Sequence, residues 1–295
     1  MLVQNRPDWS QVLWQIRKPL AFDIGFALLI SVTQEYHWFS IPAAPGTTVS
    51  LIGAGLGMIL GFRTNSAYQR WWEARILWGE LVNSSRTLAR QVLAYTPERR
   101  VAERVIFGQI AFVHALRCHL RGEDPSIELP GRLAPEEIPP VTAQSNIPSA
   151  LLQIMQRRIT AAADSGYLSE FRLSLLDQTL RTLTSTLGGC ERIKNTPLPR
   201  QYDYFPEIFI YLYCLIVPLS IVQDVGLMTP VFTGVVAFIF LALNRIGKNL
   251  EDPFDSVVYG TPMLAISRTI EINLLEQLGE ARIPAAVVAT DGVLT

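Results

Sequence analysis

Long uncharged runs alternate along this chain with stretches in which apolar residues recur three and four positions apart, the helical period. Between Glu35 and Arg63 the only group able to take a charge is His37, and the pair Pro45-Gly46 interrupts the run. A helix is therefore predicted to begin after that turn. Thr47 to Phe62 supplies about 24 Å at 1.5 Å per residue, a little less than a hydrocarbon core of about 30 Å, so the helix is expected to continue beyond the lipid. Upstream, Leu20 to Thr33 with the aromatic end Tyr36, Trp38 and Phe39 makes a first span whose one awkward residue is Asp23. Farther along, Ile208 to Val222 and Val225 to Asn244 are uncharged, with Gln223-Asp224 as the predicted turn between a third and a fourth span.

The remaining pattern is helical and polar on one side. From Arg63 to Tyr95 there is no proline and one glycine, which predicts that the second span runs straight into a long helix outside the lipid. Thr96-Pro97-Glu98 reads as a new start, with proline in the first turn and the helix reaching about Leu120. The proline-rich stretch 122 to 148 reads as a mobile surface connection. Helices are predicted again over 149 to 163 and 167 to 188, with Gly188-Gly189 ending or bending the second. No strand pattern occurs, so the expected fold class is all-α.

Basic residues give the spans a direction, because Lys and Arg beside spans stay on the cytoplasmic side. Arg6, Arg17 and Lys18 precede the first span, and Arg63, Arg70 and Arg75 follow the second. Lys194 and Arg200 precede the third, and Arg245 and Lys248 follow the fourth. The outer loops carry neither residue. The expected organisation is a segment with spans one and two (1–62), a cytoplasmic helical domain (63–205), spans three and four (206–248) and a cytoplasmic tail (249–295), with both termini inside. The first long apolar run starts only near residue 24, which predicts an uncleaved first span that acts as its own insertion signal.

Composition agrees with lipid as solvent. Of 295 residues 49% are apolar and 17% charged, where a soluble domain carries about a quarter charged. Twenty-five basic residues balance twenty-six acidic ones, so no net charge suggests nucleic acid. Cys118, Cys190 and Cys214 are far apart and form no C-x-x-C pair, which leaves out a disulfide framework or a zinc ribbon. No phosphate loop, nucleophile elbow or catalytic carboxylate pair is readable, and neither an enzyme activity nor a cofactor is expected.

Two clusters carry candidate chemistry. Gly53, Gly57 and Gly61 fall four apart and give the second span a stripe where another backbone can approach closely. Beside it run Ala54, Met58 and Phe62, which face either a protein core or a pore, and spacing alone favours the core. His114, Cys118 and His119 share a helix but offer no fourth metal ligand, so ordinary buried or interfacial roles are expected.

The run Gly61-Phe62-Arg63-Thr64-Asn65-Ser66-Ala67-Tyr68-Gln69-Arg70-Trp71-Trp72-Glu73-Ala74-Arg75, with Leu77-Trp78-Gly79 and Ser84-Ser85-Arg86, resembles the signature of the bestrophin family, especially its bacterial branch. Glu191 to Pro199 is similar to the family's lead into the third span. Leu250-Glu251-Asp252-Pro253-Phe254-Asp255 with Arg268-Thr269-Ile270-Glu271-Ile272 is similar to its acidic Pro-Phe turn and the helix beyond. The likeness covers nearly the whole chain, least over 122–148. It implies a homopentameric ion channel of the bacterial inner membrane, with the second span lining a narrow hydrophobic neck. Ala54, Met58 and Phe62 match the neck positions and Leu198 a constriction at the cytoplasmic exit, which reverses the preference for a core stripe. Ala and Met stand where bulkier groups are usual. The bacterial branch implies monovalent cations, Na+ or K+, with Cl- as the alternative. Only Glu251, Asp252 and Asp255 stand near Pro253-Phe254, followed by Ser256-Val257-Val258, too few carboxylates for the calcium clasp of animal members.

Overall fold

The computed structural model describes residues 9–37, 44–255, 259–289 and 294. Trp38, Phe39, Arg6 and Ser256-Val257-Val258, named above, lie outside these residues. Nine α-helices occur among the described residues: α1 (Trp9–Glu35), α2 (Gly46–Tyr95), α3 (Arg99–Arg121), α4 (Ile138–Thr142), α5 (Ile147–Asp164), α6 (Glu170–Asn195), α7 (Arg200–Val225), α8 (Thr229–Glu251) and α9 (Met263–Leu278). The described residues contain no strand, only one isolated bridge between Pro130 and Leu133. The chain is all-α, as its periodicity predicts.

Two compact units divide the chain. One comprises Gln4–Trp71 with Pro197–Asp252, and the other Trp72–Thr196 with Pro253–Thr295. In the first, α1, α7, α8 and the opening half of α2 enclose a small core of Val49, Leu56, Leu60, Ile210, Cys214, Val217, Ala237 and Leu241. Gly234 on α8 allows the close approach of α1, since a Cβ there would lie 3.2 Å from Ile24 Cγ1. Two helical stretches, Gly46–Tyr95 and Arg200–Glu251, are long and apolar enough to cross a membrane. The second of these contains both α7 and α8.

The turn between α7 and α8 is not at Gln223-Asp224. Both residues stay helical, and the break comes at Gly226, whose φ of +54° is one that L side chains rarely adopt. Gln is a good helix former and Asp only a moderate one, so this pair does not end a helix, whereas the positive φ at 226 favours glycine.

In the other unit α3 is buried on nearly all sides, and its residues Ile106, Ile110, Phe112 and Leu116 join Trp78 of α2, Leu183 of α6 and Leu274 of α9 in one core. Three expectations need correction here. Pro97 precedes α3, which starts at Arg99 with Glu98 as N-cap, so the proline is not in its first turn. Gly188 and Gly189 lie inside α6 and do not end it. At Gly189 a Cβ would sit 3.0 Å from the Leu77 side chain, so this glycine is a packing position. The stretch 122–148 is built into the unit rather than a mobile connection. It forms two 3-10 turns and α4, buries Leu129, Leu133 and Val141, and enters α5 with Pro148 in the first turn and Asn146 Oδ1 accepting from the Ser149 amide at 3.0 Å.

Candidate ion pathway

Along the first half of α2 the buried positions are Val49, Gly53, Leu56, Leu60 and Arg63, spaced three and four apart. Met58 stands two residues from both Leu56 and Leu60, about 200° around the helix from each. It therefore faces away from the unit's core. Met58 and Phe62 are each 64% exposed, and Ala54 is exposed above them. An uncharged, unpartnered stripe thus runs down one side of α2.

The glycines divide by environment. A Cβ on Gly53 would meet the Tyr213 ring of α7, with Cζ at 2.8 Å, whereas at Gly57 and Gly61 it would meet nothing within 4 Å. Only Gly53 is needed for close packing inside this chain. Gly57 and Gly61 leave open space beside the exposed stripe. Leu198 is half-buried between Pro197 and Pro199, and Pro199 is the N-cap of α7 with φ −52°. Proline on each side restricts this short linker to few conformations.

At the end of this stretch of α2 lies a residue that the sequence marked only as a flanking cation. Arg63 is 2% exposed. Its Nη1 donates to Asn244 Oδ1 at 2.5 Å, its Nη2 donates to Asp203, and Glu251 Oε2 stands 3.8 Å away. One guanidinium so ties α2 to α7 and α8. Around it, Lys248 Nζ meets Glu207 at 2.5 Å and Asp203 at 3.7 Å, and Arg70 Nε donates to the Glu251 carbonyl at 3.2 Å. The available signal was Gly247, where a Cβ would approach Arg63 Nη1 to 3.6 Å, and the polar Asn244 at a span end. Glu251 is thus already engaged by cations of its own unit.

His114, Cys118 and His119 do not converge. His114 Nε2 meets Glu271 Oε2 at 3.1 Å, and His119 Nε2 meets Glu191 Oε1 at 3.2 Å. Burial pushes the Cys118 thiol up to about 11, and a protonated thiol is a poor metal ligand. Among the described residues no three or more His, Cys, Asp or Glu side chains are grouped to hold a metal ion.

An all-helical chain with membrane-length apolar helices and an uncharged exposed stripe on one of them has the features of a helical membrane protein. Comparison with known proteins specifies it further. The model of the family described as "Bacterial/Fungal Bestrophin protein" matches residues 6–276. The chain is 35% identical over 293 residues to the voltage-dependent anion channel-forming protein YneE of Salmonella typhi, covering 97% of this chain and 96% of that one. A relative of the same descriptive name from Mesorhizobium japonicum is 33% identical over 289 residues, with 95% and 93% covered. A crystal structure of a bacterial bestrophin homologue from Klebsiella pneumoniae superposes with a TM-score of 0.87 at 31% identity, covering 90% of this chain and all of that one. The chain belongs to the bacterial bestrophin family of membrane ion channels.

Proposed function

We propose that this chain is the pore-forming subunit of a homopentameric channel in the bacterial inner membrane and that it passes small monovalent anions, chloride foremost. In this reading α1, the start of α2, α7 and α8 are four spans in two hairpins, and the termini and residues 63–205 are cytoplasmic. Ala54, Met58 and Phe62 line the neck, and Leu198 rings the exit. The observation that carries it is the exposure of Met58 and Phe62 opposite the buried Leu56 and Leu60, because a large apolar stripe left bare on a packed helix calls for neighbours. Lipid would cover such a stripe equally well. The neighbouring open glycines favour copies of the same helix.

The sign of the ion is a separate matter. The bacterial resemblance led to an expectation of Na+ or K+, and the names of the curated relatives speak for the anion alternative. An uncharged neck is compatible with either, selectivity then resting on dimensions and dipoles. Reconstitution of the purified chain in planar bilayers under a KCl gradient decides between them. A reversal potential near the chloride equilibrium value supports the anion reading, and one near the potassium value overturns it. Flux that saturates without discrete conductance steps would replace the channel by a carrier.

A further inference from the structure

The signature triplet Ser84-Ser85-Arg86 ends at a groove whose lining includes none of the candidate pathway residues Ala54, Met58, Phe62 and Leu198. Arg86, Thr87, Arg90, Leu93 and Ala94 of α2 and Gln277 of α9 line an open surface groove of about 570 Å³, large enough for a small molecule. Arg86 and Arg90 are four residues apart, so their guanidinium groups share one face of the helix, and both are exposed. Among the described residues neither forms an ion pair with a carboxylate. Arg86 Nε and Nη2 instead donate to Asn273 Oδ1 at 3.0 and 2.6 Å. A neutral amide oxygen fixes the guanidinium without cancelling its charge.

Two like charges at i and i+4 oppose each other and destabilise a helix unless something neutralises them. Every charged group lining the groove is positive. Thr87 and Gln277 add neutral hydrogen-bonding groups, and Leu93 with Ala94 supplies an apolar wall. We propose that this groove binds a small phosphate monoester, with the phosphate between Arg86 and Arg90 and its organic part over Leu93 and Ala94. A phosphate group carries about −1.5 to −2 charge at neutral pH and so matches two guanidinium groups. Its oxygens also suit the planar fork of arginine, which recognises phosphate through paired N–H donors. A single carboxylate would leave one charge over.

The test needs no current, so its failure is distinguishable from failure of the channel reading. Full-length protein in detergent is titrated calorimetrically with glucose 6-phosphate and with inorganic phosphate. Glucose and sodium chloride at equal ionic strength serve as references. Saturable heat is expected from both phosphates and from neither reference, with glucose 6-phosphate the tighter. Arg90→Gln and Arg86→Gln should each weaken binding by about tenfold or more, as the loss of charge-assisted hydrogen bonds implies, while Arg100→Gln, an exposed change outside the groove, leaves it unaltered. Among the described residues Arg90 has no hydrogen-bond partner to lose, so that variant reports on binding rather than folding. Equal affinity in wild type and Arg90→Gln, heat that chloride reproduces, or no heat at all overturns the proposal. Loss of oligomer in both variants without phosphate binding would overturn it too and assign the arginine pair to a neighbouring subunit's carboxylate.

Discussion

Arg63 Nη1 and Asn244 Oδ1 stand 2.5 Å apart, joining residues 181 positions distant in sequence inside a site where Arg63 is almost wholly buried. Arg63 makes two such bonds, to Asn244 and to Asp203, and a hydrogen bond to a charged group contributes about 1.5–3 kcal/mol. Arg63→Gln should therefore lower the melting temperature of detergent-solubilised protein markedly. Asp203→Asn should cost less, because Asn244 and Glu251 still face the buried guanidinium and the half-exposed position of Asp203 admits water. Equal, small shifts for both would show that Arg63 is only a charge at the membrane edge.

The two ends of the glycine stripe should respond differently to one added methyl group. Gly53→Ala collides with Tyr213, and overpacking of this kind costs about 1–3 kcal/mol. Trimming Tyr213 to Phe in the same protein should recover part of it. Gly61→Ala meets open space and should leave the subunit's stability unchanged or raise it by up to about 1 kcal/mol through helix propensity. If copies of the chain approach at Gly61, mass measurement of that variant will show dissociation while its secondary structure melts as before.

Much of this architecture is written in local pattern, and what escapes the sequence is non-local. The continuous α2 follows from the absence of proline between Thr47 and Tyr95, which any local reading detects. The stretch 122–148 misleads because six prolines suggest an irregular connection, while its order depends on partners outside it: Glu137 pairs with Arg104 and Arg158, Glu128 with Arg117, and Arg132 with Glu271. Arg63 escaped for the same reason. Its position served only to predict an orientation for the span, and its partners on α7 and α8 are visible only once the helices are assembled. The stripe Ala54, Met58, Phe62 was legible as a stripe, and spacing alone did not tell which side of it was bare.

Acid should weaken the helical unit through Glu271. Burial alone would raise its carboxyl, but the hydrogen bond and charge of His114, followed by Arg132, outweigh that and hold it at about 2 instead of 4.5. A carboxylate held low in the folded state contributes stability that is fully present above its unfolded value and is lost as pH falls from about 4.5 to about 2. A tenfold change in proton affinity is worth about 1.4 kcal/mol, so up to about 3 kcal/mol is at stake. Unfolding followed by circular dichroism across this window should be steeper for wild type than for Glu271→Gln. Parallel pH profiles for the two would remove Glu271 as a cause.

Leu198 tests the exit. If it rings the pathway, Leu198→Ala should raise the permeability of large anions relative to chloride and leave the melting temperature nearly constant, because the side chain is only half-buried. Packing inside the subunit predicts the reverse, a loss of a few kcal/mol with unchanged selectivity. Measuring both quantities on the same preparation separates the outcomes.

Phe62 carries the sharpest prediction, because its ring is 64% exposed one residue before the buried Arg63. The anchored guanidinium fixes the rotation of α2 and so fixes where Phe62 points. A ring of such side chains at one level would hold water poorly and oppose hydrated ions without any charge. Phe62→Ala should then increase conductance and weaken closure, and Met58→Ala, a turn higher on the same stripe, should do so less because methionine is flexible and already yields. A cysteine introduced in place of Phe62 should react with a small water-soluble thiol reagent and reduce the current. The native Cys118, Cys190 and Cys214 are buried and should contribute little background. A Phe62→Cys protein that conducts normally and resists the reagent in open and closed conditions would mean that lipid covers this stripe and that the ions pass elsewhere.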